Sequence, residues 1–171
     1  MCTSVPQDEQ EEIHRLGLQA HRLNWYLLAL TLLSLAATVM VAMYAGWSTP
    51  YSAGIGMGIC VAAGTMGSAV AALQSSQERR ANGWEVASGK KYPEAKPDDK
   101  FNAGMVPRFY TRPFLGSVVG AVFYLGASSA FGFVTWGQED LGKLAFWSFV
   151  VGIMAKTFIE TLKDLFKKLG K

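Results

Sequence analysis

The sequence is poor in the residues that site chemistry usually requires. Its 171 residues include two cysteines and two histidines. Cys2 and Cys60 are too few and too differently placed for a disulfide framework or a metal site. His14 and His21 stand seven apart near Glu11 and Glu12, without the further Cys or carboxylate spacing that zinc needs. GxSxG, P-loop and HExxH motifs are missing, and Gly54-x-Gly56-x-Gly58 lies inside an apolar run, where it cannot cradle a phosphate. Charge is scarce as well: 17% of residues are charged, the net charge is +3, and the apolar runs hold no Asp, Glu, Lys, Arg or His at depth. Intramembrane proteolysis and proton-coupled transport both need such groups. These absences predict a protein that is not an enzyme, holds no metal or cofactor and needs no nucleic-acid partner. The acidic N-terminus, with no basic region before an apolar core, predicts no secretory signal peptide.

What is abundant is apolar surface. Half of the residues are hydrophobic, and the charges are gathered into blocks between long uncharged runs. That pattern predicts an integral, multi-pass membrane protein of the all-α class, with four transmembrane helices in two hairpins. The segments are a cytoplasmic N-terminal helix (1–22), a first hairpin (23–73), a cytoplasmic basic loop (74–112), a second hairpin (113–159) and an amphipathic basic tail (160–171). Positive charge sets the orientation. Fifteen of the sixteen Lys and Arg residues fall on one side and only Lys143 on the other, so both termini and the loop are expected in the cytoplasm, with the chain in the inner membrane.

Residues 51–73 carry no charge and five glycines. Glycine weakens a helix in water by about 1 kcal/mol relative to Ala, whereas in lipid it lets helix backbones approach closely. Gly54, Gly58, Thr65 and Ala72 share one face, Gly56, Ala63 and Gly67 the opposite one, and Ile55, Ile59, Met66 and Leu73 project between them toward lipid. Two small faces imply two close neighbours, either both within one subunit or one in a second copy or along a pore.

Ile13, Leu16, Ala20, Leu23, Leu27 and Leu30 recur with heptad spacing, which fits a short coiled coil or a helix lying on the membrane surface. Asn24, Thr31, Ser34 and Thr38 continue that face into the first span, 23–47. In a homo-oligomer these side chains line a narrow polar passage; alternatively, the hydroxyls bond back to their own helix. Trp25 and Tyr26 mark one interface and Tyr44, Trp47 and Tyr51 the other.

Residues 74–80 are expected to extend the second helix, after which glycines and prolines up to 112 prevent long regular structure. Trp84, Tyr92 and Phe101 argue for order in this loop or for a cytosolic protein partner. Arg79, Arg80, Lys90, Lys91, Arg108 and Arg112 supply most of the loop's positive charge and mark its side of the membrane. The third span, 114–136, follows Pro113 and carries Gly116 and Gly120, a GxxxG pattern that permits close crossing. Residues 141–159 make a short fourth span or a re-entrant segment, with Lys156 and Glu160 as an interfacial pair.

The basic entry Arg108-Phe109-Tyr110-Thr111-Arg112-Pro113 into Gly116-Ser117-Val118-Val119-Gly120, on so short a four-helix chain, resembles the small membrane effectors of bacterial antiphage abortive-infection systems. The resemblance lies in architecture and not in a specific motif. It implies a channel or pore subunit that opens on a cytoplasmic signal and serves antiviral defence, with Arg79, Arg80, Lys90, Lys91, Arg108 and Arg112 as candidates to meet an anionic ligand. The competing reading is a membrane anchor or scaffold that presents residues 74–112 to a partner.

Overall fold

The computed structural model describes residues 6–47, 53–93, 99–130, 141–157 and 161. The expected turns at 48–50 and 138–140, and the basic tail apart from Thr161, lie outside these residues. The fold is all-helical apart from one small hairpin. In chain order come helices α1 (Gln7–Trp47) and α2 (Ala53–Asn82), a two-strand ladder of β1 (Trp84–Glu85) and β2 (Lys91–Tyr92), and helices α3 (Val106–Ala130) and α4 (Leu141–Ile153). Of these, α1 and α2 are long and apolar enough to cross a membrane.

Helix α1 starts where the sequence predicts, with Asp8 and Glu9 at the positive end of its dipole and Gln10 N–H bonded to the Pro6 carbonyl at 3.0 Å. No proline interrupts it, so the expected cytoplasmic extension and first span form one rod about 60 Å long. The heptad face is buried at Leu16, Ala20, Leu23 and Leu27. At three of these positions the cover comes from within the chain. Ala72 of α2, Phe101 and Phe109 of the same chain close over Ala20, Leu23 and Leu27. Periodicity reports that a face is apolar; it does not say what packs there.

Helix α2 is the hub, touching each of the other three. Helix α3 runs antiparallel to it, with Cys60 beside Gly120, Gly64 beside Gly116, and the Ser68 hydroxyl donating to the Arg112 carbonyl at 2.6 Å. Helix α4 runs parallel to it, pairing Ile59 with Leu141 and Gly64 with Gly152. The carbonyl of Gly64 thus lies where a side chain at either Gly116 or Gly152 would have to go. Gly116 and Gly120 make the expected close crossing, here within one subunit. Ile59, expected to face lipid, is buried against α4 instead. The three-stripe reading placed a neighbour on each small face and left no room for a third helix between them.

Two further expectations change. Helix α3 begins at Val106 and runs through Pro113, so its start is eight residues earlier than the expected 114. Proline removes one helix hydrogen bond and crowds the preceding turn. Pro113 is fully buried; beside it the Ser68 hydroxyl of α2 donates to the Arg112 carbonyl, and the Ser117 hydroxyl, four residues on along α3 itself, lies 3.1 Å from Pro113 O. The loop is also more ordered than its glycines suggest. Gly83, at φ +116°, stops α2, and Gly89, at φ +81°, turns the hairpin. Phe101 then pairs with β1 through Glu85 N–H to its carbonyl and its own N–H to Gly83 O, both at 3.0 Å.

Candidate functional site

Of the polar residues on α1, Asn24 meets α2. Asn24 accepts a hydrogen bond from the Ser76 hydroxyl at 3.0 Å, and Ser34 is buried. Thr31 and Thr38 donate back to the carbonyls of Leu27 and Ser34, each at 2.8 Å. The Thr65 and Ser117 hydroxyls lie 2.6 Å apart and join α2 to α3: one donates across, and the other donates to a carbonyl of its own helix, Val61 O for Thr65 or Pro113 O for Ser117. Gly54 and Gly58 sit apart from these. They border an open groove with Met40, Val41 and Tyr44, and a side chain at Gly58 would meet nothing within 4 Å.

The basic candidates divide into two places. Arg79, near the end of α2, and Arg108 and Arg112, one turn apart on α3, line a single cavity of about 460 Å³. Lys156, just beyond α4, joins them, and none of the residues lining this cavity is acidic. The sequence offered Lys156 only as an interfacial lysine, because nothing in it shows that the ends of α2, α3 and α4 converge. Arg79 also reaches the exposed Asp99 at 3.4 Å and the Met105 sulfur at 3.3 Å. Arg112 lies 5.1 Å above the Phe109 ring. Burial, and then the like charge of Arg79, push its guanidinium below the ordinary value. Arg80 is half-buried outside this cavity.

Lys90 and Lys91 lie elsewhere, on the hairpin. Lys90 pairs with Glu9 at 2.7 Å, the Tyr92 hydroxyl donates to the other Glu9 oxygen, and Ala87 N–H donates to Glu12 at 2.7 Å. The first turns of α1 therefore clasp the loop, a role for Glu9 that its sequence position, suited to the helix dipole alone, did not signal. Lys90 and then Tyr92 hold the Glu9 carboxyl below its ordinary 4.5, while Glu9 raises Lys90 above 10.5. A depressed carboxyl stabilises the fold above its unfolded-state value and loses that contribution as pH falls through the folded value; a raised amine does the converse. The melting-temperature gap between wild type and Glu9→Gln should therefore be constant across neutral pH. It should close as pH falls below 4.5, and again as it rises beyond 10.5.

The chain matches no family model, no curated protein and no solved structure.

Proposed function

We propose that the protein is a four-span inner-membrane protein, with both termini and the central loop cytoplasmic, that assembles into an oligomeric channel or pore gated from the cytoplasmic side. The observation that carries the membrane part of this reading is a belt of exposed apolar side chains on three helices. On α1 it runs from Leu28 through Leu32, Leu35 and Val39 to Met43, and on α3 from Phe114 through Val118 and Val122 to Leu125. Phe146, Trp147 and Ile153 continue it on α4. Soluble monomers rarely expose contiguous apolar patches beyond a few hundred Å². Only 11% of the most apolar window of α1 is buried, against 50% for α2, which gives α1 the surroundings of a lipid-facing or subunit-facing helix. The alternation of helix directions agrees with two hairpins, and the charge asymmetry orients them.

For gating, support comes from where the cationic cavity stands. It is built on the ends of α2, α3 and α4, the same three helices that cross at Gly64. An anion held there would bear on all three at once. A second copy seated over the open groove at Gly54 and Gly58 would bring α1 to a subunit boundary, where the half-buried Thr31 and Thr38 are the hydroxyls left to line a passage. The scaffold alternative has less support, because the loop it would present is tied to α1 through Glu9 and Phe101. Service as an antiphage effector follows only from the architectural resemblance.

Ion flux from liposomes that contain purified protein tests the pore. Thr31→Leu with Ser34→Leu should reduce flux by about tenfold or more, because the apolar replacement favours dewetting of a narrow passage. Unchanged flux in a folded double variant would reject this lining.

A further inference from the structure

We propose that His21 and Trp25 on α1 form a proton-operated switch, through which acidification of the cytoplasm opens the pore proposed above. The consequence rests on that pore reading, whereas the switch stands on the geometry of the pair. Three observations carry it.

The first is charge state. The Trp25 indole N–H donates to His21 Nε2 at 2.9 Å, and the two rings meet edge to face, 6.2 Å apart at 80°. An indole nitrogen only donates, so its acceptor is a neutral imidazole with the proton on Nδ1. Imidazole is also the side chain whose charge ordinarily changes between about pH 5 and 8. A proton added at Nε2 turns the acceptor into a donor. The indole N–H then has to leave.

The second is that no anion stands ready to take up the new charge. One turn away along α1 in either direction are Gly17, Leu18, Asn24 and Trp25, and the adjacent charge is Arg22, of the same sign. His21 and Trp25 are exposed, while the elements packed on this length of α1 cover Ala20, Leu23 and Leu27. The carboxylates of those elements are engaged elsewhere: Glu78 with Gln74, Glu85 with Asn102, and Asp99 with Arg79. Their amines are engaged too, Lys90 with Glu9 and Lys100 with the Pro93 carbonyl, and Arg108 and Arg112 face the cavity.

The third is position. Trp25 is 60% exposed at the level where α1 enters the bilayer. A freed indole N–H turns to the headgroup layer, and the charged imidazole turns to water. With α1 at a subunit boundary, every copy of a ring gains a cation at the same height. These like charges, added to Arg22, push the cytoplasmic ends of neighbouring α1 helices apart. The cationic cavity takes no residue from α1, so the proton acts independently of any anion bound there.

The test follows the indole N–H signals of the full-length protein in micelles by NMR, between about pH 8 and about pH 5.5. Trp25→Phe identifies the signal by its loss. In wild type the Trp25 signal should move on acidification. In His21→Gln it should stay in place, because the amide oxygen still accepts the indole bond and takes up no proton in this range. Glu9, held below 4.5, remains ionised throughout, so the grip of the hairpin on α1 is constant. In liposomes, flux through wild type should rise by about fivefold from about pH 7.5 to about pH 5.5, the change in population that one net hydrogen bond produces. His14→Gln should keep that rise and His21→Gln should abolish it. A fixed Trp25 signal in wild type, or the same movement in His21→Gln, would overturn the proposal. So would a pH response of flux that survives in His21→Gln, or one that His14→Gln removes. Absence of flux at both pH values would count against the pore itself, and the indole signal would still decide whether the pair switches.

Discussion

Gly64→Val should leave little folded protein, whereas Gly58→Val, six residues earlier on the same helix, should stay within about 0.5 kcal/mol of wild type. A Cβ at Gly64 would sit 2.5 Å from the Gly116 carbonyl oxygen and 3.1 Å from the Gly120 Cα. These are backbone atoms of a packed helix, with no flexible end to swing away. Overpacking a core typically destabilises by about 1–3 kcal/mol, and where backbone must separate the loss goes beyond that range. Valine would also wedge α2 away from α3 on one side and disturb the Gly152 contact of α4 on the other, so relaxing toward either neighbour worsens the second. Gly58 has no such neighbours, and there the better helix propensity of valine works in favour of the variant. Unfolding in mixed micelles, with size-exclusion profiles to count the monodisperse fraction, measures both. Similar behaviour of the two variants would mean that Gly64 is not a crossing point.

Phe101→Ala should cost about 3–5 kcal/mol, the range for removing a buried aromatic ring. Phe101 is fully buried although its segment carries little secondary structure. Its ring stacks on Phe109 at 6.3 Å and meets the edge of Trp84 at 5.7 Å, while Leu23 and Leu27 of α1 and Ala72 of α2 complete its surroundings. One side chain thus joins the loop to three helices. Its loss would leave a cavity that the flanking rods are too stiff to collapse, and would release the hairpin from the bundle. Trypsin cleavage at Lys90 and Lys91 should then become faster at a temperature where the wild type resists. Unaltered cleavage together with an unaltered melting temperature would show that Phe101 is not a keystone of this cluster.

The extent to which the sequence disclosed this arrangement depends on the kind of information in each residue. Spacing and composition are local. They made the apolar face from Ile13 to Leu30, the long helix 51–73 and the close approach at Gly116 and Gly120 legible. The partner of each face is a long-range property. For that reason Leu23 and Leu27 suggested a coiled coil, although Phe101, more than seventy residues away, covers them. Ile59 suggested lipid, although Leu141 covers it. Pro113 looked like a helix start because its usual consequence is local, whereas the packing that buries it within α3 is not. The cationic cavity was half visible. Arg79, Arg108 and Arg112 stood out by charge, but their grouping, and the addition of Lys156, depend on three helix ends meeting.

The unbroken length of α1 has a mechanical consequence. A continuous ladder of backbone hydrogen bonds resists twisting, so a turn of the rod imposed at its Glu9 end, where the hairpin grips it, reaches Met40 and Tyr44 with little loss. The rod is thereby a stiff shaft: a displacement at the hairpin would be carried to the groove at Gly58 without any intervening joint to absorb it.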